Sequence, residues 1–175
     1  MLAGWDNYFM LMGGAAASLI GLLFVVITLT AGFERANAER GQALYMTPTM
    51  VNFAVVFAIA AVAEIPRLPS PAFAALAALA LGLGLLNAIR SSLGIARPRP
   101  GLPTPHWSDL WMYGVGPGLL HVLGLAFCIL ILRGAAWAAP SLAGLLLVVL
   151  LVGVRNAWVL ITAIAPLRAM NSPPS

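Results

Sequence analysis

Five long apolar stretches, separated by short polar or proline-containing segments, take up nearly the whole chain. They cover about residues 8–31, 48–65, 71–93, 108–132 and 141–165. A helix rises 1.5 Å per residue, so about 20 apolar residues cross the ~30 Å hydrocarbon layer of a membrane. Hydrophobic residues make up 62% of the 175 residues and charged residues 8%, about a third of the ~25% found in soluble domains. The sequence therefore predicts an all-α integral membrane protein, a single domain over residues 1–175 built as a bundle of five transmembrane helices, and excludes a soluble or disordered chain.

Prolines and capping residues mark the ends of these stretches. Thr47 is a good N-cap and Pro48 fits the first helical position, so the second helix is predicted to begin there. Pro66 stops that helix, since proline breaks a helix and restricts the residue before it. The segment ARPRPGLPTPHW, residues 96–107, is too rich in proline for regular structure. The Ser108-Asp109 pair is predicted to cap the fourth helix.

The arginines are divided unevenly between the two sides of the membrane that five spans create. Arg67 and Arg133 fall on one side, and five arginines fall on the other: Arg35, Arg40, Arg97, Arg99 and Arg168. Short loops with more Lys and Arg stay in the cytoplasm. We therefore predict that the N-terminus is outside and the C-terminus inside.

Small residues recur at spacings that suit close helix packing. Lipid is as apolar as leucine, so transmembrane helices associate through close contact over small residues and through a few polar contacts. The predicted packing residues are Gly13, Gly14, Ala17, Gly21, Gly114 and Gly118. The sequence leaves open whether these contacts form inside one chain, between chains, or both.

Arg155 is the ionisable residue that most needs an explanation. It lies roughly 21 Å into the fifth predicted span and about 9 Å from its inner boundary, and no acidic residue occurs in the middle of any span. Ionisable groups inside a membrane are costly and mark functional sites by default. Other polar residues lie towards the same side or near mid-membrane. We predict that a ligand or ion pathway is formed by Arg155 with Asn156, Arg90, Asn87, Asn52 and His121.

Three interpretations of Arg155 stay open. Pro117 cannot donate to the carbonyl of Tyr113, so Arg155 could bind that carbonyl, Asp109 or an asparagine and hold the bundle together. It could instead offer its planar guanidinium to a small anion or a lipid phosphate. The third interpretation extends the side chain to the inner head groups.

His121 has two interpretations. It is either a hydrogen-bonded core histidine or a proton-sensitive lining of a pore. No second His, Cys or carboxylate stands three or four residues from it, and Cys128 is the single cysteine. The sequence therefore predicts no metal site and no cofactor.

The segments GGAAASLIGLLFV, in the first span, and VRNAW, in the last, resemble a group of small bacterial multi-pass membrane proteins. The resemblance covers a minor part of the chain. It implies an integral protein of the bacterial inner membrane and no particular activity. The positions it points to are Gly14, Ala15, Ala16, Ala17, Gly21, Arg155 and Asn156.

Three classes of function compete. The favoured one is a homo-oligomeric channel or transporter for anions or small polar solutes, with the inner-leaflet Arg and Asn residues as its polar site. The alternative is an accessory or scaffold subunit that binds another membrane protein through small-residue helix faces. An enzyme is not predicted, because there is no paired carboxylate, nucleophile–base set or metal cluster. The expected partners are the lipid bilayer, other copies of the chain and a small anion or lipid head group, with no nucleic acid.

Overall fold

A computed structural model describes residues 4–30, 46–97 and 106–170 of the chain. Every described element is helical, in chain order α1 (Asp6–Thr30), α2 (Thr47–Ala63), α3 (Ser70–Ala96), α4 (Trp107–Leu132) and α5 (Ala138–Met170). These helices correspond to the five predicted spans, and the all-helical prediction is confirmed. The proline-rich loop after Arg97 lies outside the described residues, as do three arginines used to predict the orientation: Arg35, Arg40 and Arg99.

Four helices are long and apolar enough to cross a membrane: α1 over Asp6–Thr28, α3, α4, and α5 over Ala138–Thr162. The fifth, α2, is a shorter apolar helix of 17 residues, about 26 Å long at 1.5 Å per residue. Helix lengths and composition therefore indicate a membrane protein.

Prolines mark the ends of α2 more closely than capping residues do. α2 has Pro48 in its first turn, as predicted, and it ends at Ala63, before Pro66. Its N-cap is Met46, which makes no side-chain capping bond, so the cap assigned to Thr47 is wrong. The turn between α2 and α3 passes through Arg67, whose φ of 56° is uncommon for a residue with a side chain. α4 begins one residue earlier than predicted. Its N-cap is His106, whose Nδ1 accepts a hydrogen bond from the Ser108 N–H at 3.3 Å, so the cap assigned to Ser108-Asp109 is wrong.

The helices α2, α3, α4 and α5 form a ring in which each packs on the next. α1 lies outside this ring and packs on α2 and, over fewer residues, on α5. The core side chains are apolar and fully buried, among them Phe53, Ile59, Leu81, Leu142 and Leu146. Large apolar side chains also cover the outward faces of all five helices, as they do in proteins that face lipid rather than water.

The predicted packing residues divide into two groups. Three pack inside the chain: a Cβ on Gly13 would lie 3.3 Å from Ala60 Cβ, one on Gly118 would lie 3.6 Å from Ala88 Cβ, and Gly114 contacts Ser92.

The other three, Gly14, Ala17 and Gly21, are exposed, and a Cβ on either glycine would meet nothing within 4 Å. Gly13 and Gly21 are eight residues apart, so the directions in which they face around the axis of α1 differ by about 80°. The structure therefore divides the predicted strip between two faces of α1.

Candidate functional site

Five polar side chains are buried among the described residues: Thr49, Asn52, Ser91, His121 and Asn156. Thr49 and Asn52 lie in the first turns of α2, and Ser91 lies near the end of α3. Asn156 of α5 contacts the beginning of α4. Because α2 and α4 begin at the end of the bundle where α3 finishes, these four residues, which we call the buried polar layer, share the end of the bundle predicted to be the inner one.

The α4 helix has an irregular segment next to this layer. Residues Trp111–Val115 are π-helical, and the Gly116 N–H donates to the carbonyl of Trp111, five residues earlier. In that register residue 117 would donate to the carbonyl of Met112, but proline has no N–H. The sequence pattern placed the freed carbonyl at Tyr113. The extra residue of the π-helical segment moves it to Met112.

Asn156 supplies the donor that Pro117 lacks. Its Nδ2 donates to the Met112 carbonyl at 2.7 Å, and its side chain is fully buried. In the other direction, the Tyr113 hydroxyl donates to the Asn156 carbonyl at 3.3 Å. Two hydrogen bonds between a side chain of one helix and the backbone of the other therefore join α4 to α5 at the level of the buried polar layer.

Arg155 lies on the outside of the bundle and is tied to this junction. Its side chain is exposed, and Nη1 donates to Asn156 Oδ1 at 3.1 Å. Of the partners considered from the sequence, the contact is with an asparagine rather than with Asp109 or the carbonyl of Tyr113. A guanidinium has five N–H donors, so most of those of Arg155 remain available on the outer surface of α5. Asn156 thus orients a cation that is open to a ligand, a head group or a neighbouring subunit.

Three further predicted pathway residues lie on α2 and α3. Arg90 and Asn87 both lie on α3, where Arg90 is exposed and Asn87 is half-buried. The main packing partners of α3 are α2 and α4, not α5. Asn52 is buried on α2, and its Nδ2 has no hydrogen-bond partner among the described residues. Beside it, Phe53 packs so closely on α5 that a Cβ on Gly153 would lie 2.5 Å from Phe53 Cε1. The structure thus joins Arg155 to Asn156, and among the described residues no hydrogen bond links the other three to that pair.

His121 is enclosed between α3 and α4. Its Nδ1 lies 2.6 Å from the Pro117 carbonyl, which can only accept, so Nδ1 carries the proton. Nε2 is packed against Gly84 of α3 and has no hydrogen-bond partner among the described residues. This is the geometry of a hydrogen-bonded core histidine. In the described ranges, no three His, Cys, Asp or Glu residues are grouped so that they could hold a metal ion.

Two contacts were not anticipated from the sequence. One is the Met112–Asn156 bond, for which the Gly116-Pro117 pair was a partial signal because proline always frees a carbonyl. The other joins α1 to α5, where the Tyr8 hydroxyl donates to the Ala143 carbonyl at 2.7 Å. No sequence pattern pairs these two residues, which are 135 positions apart.

Comparison of the chain with protein families, with curated proteins and with solved structures finds no match. The resemblance carried by GGAAASLIGLLFV and VRNAW therefore stays a prediction. The function has to be argued from the geometry alone.

Proposed function

We propose that this protein is a non-catalytic membrane subunit that assembles with other copies of itself through the exposed small residues of α1. We call this surface the α1 face, and it consists of Gly14, Ala17, Ser18 and Gly21. The proposal rests on one observation: this face is open, although its residue types suit a tight helix–helix contact.

α1 is the least enclosed of the long helices. Of the residues in its most apolar part, 17% are buried, against 33%, 28% and 39% in α3, α4 and α5. The hydroxyl of Ser18 donates to the Gly14 carbonyl at 2.9 Å, so this polar side chain is satisfied within its own helix. A second helix could therefore approach the backbone of α1 closely without leaving a polar group unpaired.

The oligomeric state of the purified protein tests this proposal. We expect light scattering in detergent to give at least twice the protomer mass of 18.3 kDa. Gly14→Leu and Gly21→Leu should reduce that mass to the protomer value, because both side chains would fill the face. Gly144→Leu is the matched control, since Gly144 is also exposed on a helix with open space around it. A wild-type monomer, or equal loss of assembly in the control, would overturn the proposal.

A second candidate function is transport of anions or small polar solutes through a path between subunits. It is supported by Arg155, an exposed cation whose orientation is held by Asn156. Within one chain the neighbouring polar groups at the α4–α5 junction are already bonded to each other, so a path would need a second subunit beside α5.

Flux of chloride and of small neutral solutes into liposomes tests transport. We expect Arg155→Ala to reduce chloride flux while Arg133→Ala, which removes an exposed arginine from the turn after α4, leaves it unchanged. If the assembled protein carries no flux under any gradient, or if both variants behave alike, the transport function is excluded and assembly is the function that remains.

We further propose that the protein lies in the bacterial inner membrane with its N-terminus outside. The arginine distribution supports this orientation. Cys128 is buried, so single cysteines can be placed in a Cys128→Ala background. Ala136→Cys, in the turn between α4 and α5, should react with an impermeant maleimide on intact cells, and Ala96→Cys, at the end of α3, should not. The reverse pattern would contradict the orientation.

A further inference from the structure

A second candidate site lies at the opposite end of the bundle from the buried polar layer. There the beginnings of α1 and α3 meet the end of α2 around a pocket of about 210 Å³. The charged residues that line it are Asp6, Glu64 and Arg67, and Ser70 lies beside them at the start of α3. Apolar side chains, including Ile65 and Phe73, form the rest of its wall.

Both ends of helices and side chains of both charge signs contribute to the electrostatics of the pocket. Glu64 caps the C-terminal end of α2, where the helix dipole is negative, so a cation is favoured on that side. Arg67 and the first turn of α3 also line the pocket, and the free N–H groups of a helix N-terminus favour an anion. Among the described residues, neither carboxylate is within 4.0 Å of the Arg67 guanidinium. Three exposed side chains that carry charges of both signs therefore line one cavity without forming an ion pair with each other.

Arg67 reaches this position through an uncommon backbone conformation. Its φ of 56° lies in the left-handed region, which residues with a side chain adopt only when the surrounding structure imposes it. The Leu68 N–H donates to the Ile65 carbonyl at 3.3 Å and the Phe73 N–H to the Pro69 carbonyl at 3.0 Å, so the backbone on both sides of Arg67 is bonded. Glycine would suit this turn better than arginine, so the fold itself does not call for arginine at this position.

We propose that this pocket binds a zwitterionic head group composed of a primary ammonium and a phosphate, as in ethanolamine phospholipids. The ammonium would lie towards Glu64 and Asp6, and the phosphate towards Arg67 and the N-terminus of α3. The acyl chains would lie against the outward apolar faces of the helices. This site does not depend on assembly through the α1 face or on transport.

Lipid binding to the purified protein, followed by native mass spectrometry, tests the proposal. We expect ethanolamine lipid to bind about tenfold more tightly than choline lipid, because the trimethylammonium group of choline cannot donate hydrogen bonds to the carboxylates. Loss of one charge-assisted hydrogen bond weakens binding by about tenfold. Phosphatidylglycerol, which lacks the cation, should bind no better than choline lipid. Equal binding of all three lipids would overturn the proposal.

Two variants and a control separate binding from folding. Arg67→Gly removes the guanidinium while relieving the backbone, so it should keep or raise thermal stability and abolish the ethanolamine preference. Glu64→Gln should abolish the preference as well. Arg133→Gln, the matched control in the turn after α4, should retain it. A preference that survives in both pocket variants would overturn the site.

A competition experiment distinguishes a membrane lipid from a soluble ligand with the same head group. Glycerophosphoethanolamine carries the same head group without acyl chains. If it fails to displace the lipid at tenfold excess, the ligand is the membrane lipid. If it binds as tightly as the lipid does, the pocket holds, and its ligand is a soluble ammonium phosphate.

Discussion

Replacing Asn156 with leucine is expected to loosen the junction between α4 and α5. The substitution removes the side-chain donor to the Met112 carbonyl, to which Pro117 has no N–H to donate. It also removes the acceptor of the Arg155 hydrogen bond. An unsatisfied buried carbonyl costs about 1–3 kcal/mol, whereas hydrogen bonds between membrane helices average only ~0.6 kcal/mol. We therefore expect a loss of about 2 kcal/mol in the free energy of unfolding, or roughly a 30-fold shift in the equilibrium.

The substitution Pro117→Ala gives this reasoning its sharpest test. Alanine restores an N–H at the position that faces the Met112 carbonyl, so that carbonyl no longer depends on Asn156. In the Pro117→Ala background, Asn156→Leu should therefore lower the free energy of unfolding by at least ~1 kcal/mol less than it does in the wild type. Substitutions at distant, independent sites deviate from additivity by less than this. The free energies can be measured by reversible unfolding in mixed micelles of SDS and a mild detergent.

Additive effects of the two substitutions would refute the assignment of Asn156 as the replacement donor. The control is Asn87→Leu, which removes a half-buried amide of α3 to which no hydrogen bond is assigned in the structure. It should change the unfolding free energy by less than ~1 kcal/mol. A larger loss in the control would mean that the effect comes from removing any amide from the bundle.

Two further substitutions test contacts elsewhere in the bundle, and thermal unfolding in detergent can measure both. Gly84→Ala should destabilise the protein by about 3 kcal/mol, because its Cβ would collide with the His121 ring. The control Gly82→Ala, with open space around it, should leave stability unchanged. Equal effects of the two substitutions would show that His121 can move aside. Tyr8→Phe should cost about 1 kcal/mol by removing the hydrogen bond to the Ala143 carbonyl, and an unchanged stability would mean that this bond contributes nothing.

The helices and their ends were predictable because the physics that decides them is local. A chain in lipid must satisfy its backbone hydrogen bonds within each segment, so a long apolar stretch becomes a helix whatever its neighbours are. Pro48 lies in the first turn of α2 as predicted, and that helix ends at Ala63, shortly before the predicted end at Ile65. The predicted end of the last helix before Pro166 is wrong, because α5 continues through this proline to Met170. The cap of α4 was missed because His106, a residue that seldom caps helices, performs the role that serine usually has.

The candidate site was predicted only in part. The sequence showed that Arg155 and Asn156 are polar residues in apolar surroundings and that Pro117 must free a carbonyl. It indicated the carbonyl of Tyr113 rather than that of Met112, because the π-helical segment at Trp111–Val115 shifts the register by one residue. It did not indicate that Arg155 faces outward while Asn156 faces inward.

Composition and spacing alone determined that this chain forms helices suited to a membrane, roughly which segment of the chain each helix occupies, and which few residues are costly there. Only the tertiary structure decided which side of each helix is covered. Gly13 packs on α2 while Gly14 stays open, and Asn156 is buried while Arg155, its neighbour in the chain, is exposed. Neighbouring residues differ by 100° around a helix, and the direction that becomes the interior depends on contacts between segments far apart in the chain, which no local pattern contains.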